Sequence, residues 1–345
     1  MTVVGRSGQH AAYVDALLAE LERERAVLAP RLESVFLGGG TPTLTEPAAL
    51  QRLLRALPAA EEVTVEANPE TITPELAALL REGGVTRVSL GAQSFQQRLL
   101  SVLERQARPK DVRRAFGVLR EAGFDNLSLD LIYGIPGQSV ADLESDLSAA
   151  RGLEPEHISA YELEAKPGTR FTHAHGDELA RQAEAMETYF ERVVARLTEG
   201  GYRWYETANF CRAVDRDLRS RHNLGYWRGR DYLGLGVGAV STVEGRRWRT
   251  TPRLGRYLAA LQAGERPERE LEELPAEVRG SERVLLGLRL DEPLSLAGLG
   301  DAVDAAAVER LERLGLVARG PAGNELALTE RGRFLGGGVT AELLA

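Results

Sequence analysis

Three segments of the chain repeat one order: "LREGGVTRVSLG" over 80–91, "LREAGFDNLSLD" over 119–130 and "LTEGGYRWYETA" over 197–208. Each ends an amphipathic helix on a glycine, turns, and enters a short strand. Strands met in this way pair in parallel through right-handed helical crossovers, which confines the chain to an α/β sheet or barrel. The pattern predicts strands at 34–40, 62–67, 86–92, 126–133 and 157–163, with a sixth, more polar one near 202–208. Between them, "AAYVDALLAELERER" places Val14, Leu17, Leu18 and Leu21 on one helical stripe. "TEPAALQRLLRAL" opens with Pro47, where a missing N–H costs nothing. Thr73 and the Ser139-x-x-Asp142 pair read as helix caps. "ELARQAEAMETYFERVVARLTEGG" reads as one long helix, and "THAHG" before it as a polar loop.

In a parallel barrel the working groups gather at the C-terminal ends of the strands. Here those ends carry Gly38–Thr41, Glu66 and Asn68, Gln93, Asp130 and Tyr133, then Tyr161 and Glu162. The strands leading to them are apolar, so five consecutive strands deliver polar groups to one place. From about residue 265 the composition changes. A helix, "LGLV", and a hairpin tipped near Gly323-Asn324 form a winged-helix-like order. The expected division is a barrel over 1–210, a connecting region over 211–265 and a small C-terminal domain over 266–345.

The chain of 345 residues carries a net charge of -8. That argues against nucleic acid as a partner, so the C-terminal module is expected to be a stabilising cap. No apolar run is long enough to span a membrane and no secretory signal opens the sequence, which makes the cytoplasm the expected location. The single cysteine, Cys211, can form neither an internal disulfide nor a multi-cysteine metal site.

The stretch "SVFLGGGTPT" ends a strand on three glycines. It matches neither phosphate-binding glycine pattern, since no Lys-Ser/Thr follows and no G-x-G-x-x-G opens a helix. A tight structural exit from the strand is one reading. The other comes from its company: "VEANPET", "RVSLGAQSF", "NLSLDLIYGIPGQ", "HISAYEL", "YETANF" and "RHNLGYW…GLGVGA" follow in order. Together, from about Tyr13 to the C-terminus, these resemble the radical S-adenosylmethionine (radical SAM) family around oxygen-independent coproporphyrinogen III oxidase. "HNLGYW" resembles the HemW branch, the haem chaperones.

The resemblance implies a partial (β/α) barrel with a winged-helix-like C-terminal domain. It implies SAM contacts at Gly39, Gly40, Thr41, Glu66, Gln93, Arg105 and Asp130. Backbone carbonyls and carboxylates suit the SAM ammonium and ribose hydroxyls, and an arginine suits its carboxylate. It also implies haem as ligand, an unidentified haem-acceptor protein as partner, and a haem pocket at His222, Asn223, Tyr226 and Trp227. Two alternatives stand beside the chaperone: a coproporphyrinogen III dehydrogenase and a degenerate, non-catalytic barrel.

The sequence also departs from that family. The family's [4Fe–4S] cluster is held by Cys-x-x-x-Cys-x-x-Cys after a first strand, and this sequence shows neither the cysteines nor that strand. The expectation is a barrel lacking its first strand, read from a start called too late in a longer frame. Its open edge would lower solubility. Ala107 and Val240 stand where the family often has histidine.

Overall fold

The computed structural model describes residues 7–344; the segment 1–6, for which the sequence offers no strand, and Ala345 lie outside the described residues. In chain order the elements are α1 (His10–Glu24), β1 (Leu32–Leu37), α2 (Pro47–Ala56), β2 (Ala60–Ala67), α3 (Pro74–Glu82), β3 (Arg87–Gln93), α4 (Gln97–Val102), α5 (Pro109–Glu121), β4 (Leu127–Tyr133), α6 (Val140–Arg151) and β5 (His157–Glu162). They continue with α7 (Arg170–Ala183), α8 (Met186–Glu199), β6 (Tyr202–Glu206), β7 (Asn209–Arg212), α9 (Arg221–Trp227), β8 (Val240–Val243), β9 (Arg246–Thr250), α10 (Leu254–Gln262) and β10 (Arg269–Glu273). The last are α11 (Ala276–Gly287), β11 (Leu294–Ser295), α12 (Ala305–Arg313), β12 (Val317–Arg319), β13 (Glu325–Leu328), α13 (Glu330–Phe334) and α14 (Gly336–Leu343).

Two compact units emerge. One comprises residues 35–45 and 62–220; the other comprises 7–34, 46–61 and 221–344. The first carries a seven-stranded half-barrel sheet in the order β1-β2-β3-β4-β5-β7-β6. Strands β2 to β5 pair in parallel, as the strand–helix alternation requires. Their residues alternate between two faces. Val63, Val65, Val88, Leu90, Leu127, Leu129 and Ile158 are buried and apolar on one face. Glu62, Thr64, Arg87, Ser89, Ser128, His157 and Ser159 are buried and polar on the other.

Helix ends follow the expected chemistry. Thr73 accepts from the Leu76 N–H, and Ser139 and Asp142 form a capping box. Asp146 on α6 is 1% exposed and accepts from Ser94 Oγ at 2.6 Å and the Phe95 N–H at 2.8 Å. It thereby fixes the chain as it leaves β3. Asp146→Asn turns an amide donor toward one of these donors, so urea denaturation is expected to show a loss of about 1–2 kcal/mol.

The structure corrects four readings. Strand β1 ends at Leu37, so the three glycines form the loop beyond it, and Val35 and Phe36 are only half-buried because β1 is an edge strand. The third repeat feeds β6, which is no further parallel strand. It turns through Thr207 and Ala208 into an antiparallel hairpin with β7, which the sequence pattern did not predict, and β7 pairs with β5. The long helix is two, α7 and α8, broken at Glu184–Ala185. His173 and His175 lie within α7 rather than in a loop.

In the second unit, α1 and α10 share a core of Ala16, Tyr257 and Leu261. The C-terminal segment packs Val284, Leu288, Leu311, Leu326 and Leu343 around a three-stranded sheet ordered β11-β13-β12. Its β12–β13 hairpin turns at Gly323, whose φ of +72° favours glycine.

Candidate functional site

The site is built on the polar face of the half-barrel. The parallel register sets its rows. Glu66 lies beside Ser89, Ser89 beside Ser128, and Ser128 beside His157. One pleat further on, Gly91 lies beside Asp130 and Asp130 beside Ser159.

At the end of β1, a Cβ added to Gly38 would stand 2.4 Å from Phe36 and 2.8 Å from Glu66 Oε2. Only glycine lets that carboxylate lie against the strand end. Gly39 has a φ of +77°, and its backbone N–H lies near enough to Glu66 to favour the charged carboxylate. Beyond Gly39 and Gly40 an added Cβ would meet nothing within 4 Å, so open space adjoins the carboxylate. Thr41 Oγ1 accepts from Asn68 Nδ2 at 3.3 Å, and Thr71 donates to Thr43 at 2.7 Å, which ties the loop after β1 to the end of β2.

Gln93 ends β3 at a bulge with φ +63°, a conformation uncommon for a residue with a side chain. Its Nε2 fills the space above Gly91, 2.8 Å from where a Cβ would sit. Asp130 is half-buried and accepts from Ser89 Oγ at 3.1 and 3.0 Å. Desolvation raises its carboxyl above the ordinary range, while Arg87, Ser159, Ser89 and Ser128 oppose that rise. Burial pushes Glu66 up to about 7; the charge of Asp130 adds to the rise and the Gly39 N–H opposes it.

Of the residues the sequence singled out for SAM, Gly39, with Gly38 before it, adjoins Glu66, Thr41 is held by Asn68 at the end of β2, Gln93 packs over Gly91, and Asp130 lies on the polar face with Ser89 between its strand and β2; Gly40 stands beside open space. Arg105 is exposed after α4, and no contact joins it to the others. In the second unit, His222 and Tyr226 on α9 meet edge-to-face at 4.9 Å, and Tyr226 meets Tyr232 at 4.6 Å. The Arg289 guanidinium lies 4.5 Å over the Trp227 ring, whose buried Nε1 has no hydrogen-bond partner. Asn223 is half-buried one residue beyond His222.

Sequence reasoning missed Arg87, Ser89, Ser128 and His157, because it read only the strand ends. Their signal was the period-two alternation within "RVSLG", "LSLD" and "HISAY". Two of the motifs that carry the resemblance also shape the chain locally. Gln138 of "YGIPGQ" accepts from the Gly134 N–H at 2.8 Å and so holds the loop after β4. Gly236 of "GLGVGA" makes room for Tyr13, whose hydroxyl would stand 2.6 Å from an added Cβ.

A parallel half-barrel with glycines and carboxylates at its strand ends is a (β/α) barrel whose ligand site lies at those ends. A sequence profile of the Radical SAM superfamily matches residues 6–150. The solved coproporphyrinogen III oxidase (HemN) of Escherichia coli, a radical SAM enzyme, superposes with a TM-score of 0.78 over 97% of this chain and 83% of that one, at 21% identity. The haem chaperone HemW of Mycobacterium tuberculosis is 39% identical over 341 residues, covering 95% of this chain and 85% of the relative. That of Bacillus subtilis is 32% identical over 350 residues, covering 96% and 91%. The chain belongs to the HemW haem chaperone family.

No helix among the described residues is long and apolar enough to cross a membrane.

Proposed function

We propose that this chain binds haem and passes it to an acceptor protein in the cytoplasm, and that the polar strand ends of its half-barrel seat SAM. The observation that carries the haem reading is the 39% identity to a haem chaperone over 95% of the chain.

The residues present fit SAM. The glycine strand end leaves open space beside Glu66, and two carboxylates, Glu66 and Asp130, face a ligand that carries an ammonium and a sulfonium. In this reading Gly39, Gly40 and Thr41 receive the methionyl end, Glu66 and Asp130 accept its N–H and hydroxyl donors, and Gln93 supplies an amide at the bulge. Arg105 meets the ligand carboxylate only if its exposed side chain reaches over. Bound SAM would supply carbon–sulfur bonds activated by the sulfonium.

The residues present do not fit an iron–sulfur cluster. Cys211 is the one cysteine in the sequence and is buried in β7. Among the described residues no group of three or more His, Cys, Asp or Glu side chains could hold a metal ion.

For haem, the second unit offers His222 against the ring of Tyr226, which in turn meets Tyr232, with Trp227 and Asn223 on the same short helix. An imidazole set among aromatic rings supplies an axial donor and an apolar wall. Titrating haem into the full chain should shift the Soret band with saturation at one equivalent. His222→Ala should weaken binding about tenfold or more. Absence of a Soret shift would sink the haem reading, and turnover of coproporphyrinogen III would replace it with the dehydrogenase.

A further inference from the structure

The residue that leads into α9 is held from inside the half-barrel. Helix α9 (Arg221–Trp227) spans seven residues, too few to keep its place by its own hydrogen bonds. Ser220, just before it, is wholly buried, and its N–H donates to the Tyr205 hydroxyl at 3.2 Å. Tyr205 on β6 is also wholly buried, and its hydroxyl meets His157 Nε2 at 2.7 Å. His157 opens β5 with no exposed surface, and its Nδ1 meets Ser128 Oγ on β4 at 2.9 Å. Three consecutive contacts thus run between buried groups from β4 to the entry of α9.

One arrangement of protons satisfies every donor on this path. The Ser220 N–H can only donate, so it takes one lone pair of the Tyr205 oxygen. The Tyr205 O–H then needs its own acceptor, and His157 Nε2 is the one it meets. That nitrogen therefore carries the lone pair, while Nδ1 carries the proton and donates to Ser128 Oγ. The Ser128 O–H is left for Asp130 Oδ1 at 3.5 Å. The opposite tautomer would point Nε2–H at the Tyr205 oxygen and strand its O–H in a buried place, which is unfavourable. A doubly protonated ring is opposed as well, since burial and the charge of Arg87 at the start of β3 hold His157 neutral. Among the described residues no acid of the sheet, Glu62, Glu66, Asp130 and Glu206 included, makes a hydrogen bond or ion pair with the ring.

We propose that His157 and Tyr205 are positioning residues for α9: His157, as the Nδ1–H tautomer, orients the Tyr205 hydroxyl, which holds the Ser220 N–H and so fixes the backbone from which α9 begins. His222 follows Ser220 by two residues. The consequence for haem rests on the haem reading of His222: loosening the start of α9 weakens the ligand that the imidazole holds.

Nitrogen-15 NMR of the full chain labelled at histidine reads the tautomer, with the His157 signals identified by their loss in His157→Gln. Nδ1 should be protonated and Nε2 bare; a protonated Nε2 overturns the arrangement. Amide hydrogen exchange reads the positioning. In Tyr205→Phe, which keeps the ring and removes the hydroxyl, exchange from Ser220 to Leu224 should speed about tenfold or more while β4 and β5 exchange as before. His157→Gln, whose side-chain carbonyl can accept from the Tyr205 hydroxyl, should stay within about threefold of the unaltered chain, and His157→Leu should approach Tyr205→Phe. Unchanged exchange at Ser220 in a folded Tyr205→Phe overturns the role of Tyr205, and unchanged exchange in a folded His157→Leu overturns that of His157. Haem titration completes a double-mutant cycle. Tyr205→Phe should weaken haem binding about threefold to tenfold with the Soret maximum unmoved, and should add nothing in a His222→Ala background. Additive losses overturn the link to His222. If His222→Ala leaves haem affinity unchanged while exchange behaves as stated, the haem reading of His222 fails and the positioning stands.

Discussion

SAM should bind this chain progressively more tightly as pH rises toward 7 and then level off, and Glu66→Gln should abolish that slope. The sign follows from Glu66, whose folded-state carboxyl is raised to about 7 by burial and by Asp130. A ligand bearing an ammonium and a sulfonium prefers the carboxylate. Below the raised midpoint, binding must first remove the proton, so affinity falls by up to about tenfold for each pH unit. Above it the carboxylate is already formed and the dependence ends. Gln cannot ionise; at pH above the midpoint Glu66→Gln loses a charge-assisted contact of about 2–3 kcal/mol, or roughly a hundredfold in Kd. Below the midpoint the two forms should converge, because a protonated Glu and a Gln are both neutral. Isothermal calorimetry at several pH values measures both effects. A Glu66→Gln chain that binds SAM with unchanged affinity above the midpoint would exclude Glu66 from the seat.

The parallel part of the fold was legible because its signal is local and repeated. Each helix end carries a glycine stop, and each strand is short and apolar on alternate residues. The same repeat misled at 197–208, since a two-residue turn and the pairing of β7 with β5 are decided by tertiary contacts that no local pattern encodes. The strand-end residues were legible for a related reason: a carboxylate at the mouth of an apolar strand stands out. Arg87 and His157 did not stand out, because a polar residue at the start of a strand looks like a solvated boundary. Their burial depends on how the sheet packs at the start of its polar face, where Arg87 and His157 are out of water while Tyr161 at the other end is 42% exposed. Arg105 shows the opposite limit. A motif position can be read from sequence, but where a long exposed side chain rests is not encoded in its neighbours.

The second large effect is expected at Glu20, in the other unit. Its side chain is 0% exposed on α1, where the helical stripe of the sequence showed only leucine and valine. Oε2 accepts from the Gly236 N–H at 2.8 Å and from the Tyr257 hydroxyl at 2.7 Å. Arg269 approaches Oε1 at 3.7 Å while pairing with Glu24 at 2.8 Å, and its guanidinium lies 5.0 Å over Trp248. One carboxylate therefore ties α1 to the glycine loop at 236, to α10 and to β10. Burial, with a smaller push from the charge of Glu24, holds the Glu20 carboxyl above the ordinary range; the hydrogen bonds from Tyr257 and Gly236 and the charge of Arg269 oppose that rise. Glu20→Ala removes the acceptor and leaves two buried donors unpaired and Arg269 with half of its acid company. Removing one partner of a buried charged network costs about 3–5 kcal/mol, more than the buried apolar area of the same side chain can account for. Glu20→Gln keeps an acceptor for Tyr257 or Gly236 and should lose roughly half as much. Urea denaturation of the full chain reads both variants, with the earlier transition assigned to this unit by the ring environment of Trp248. A loss below about 1 kcal/mol in Glu20→Ala would mean that water enters the gap and satisfies the donors, and that the carboxylate is not what holds α1 in place.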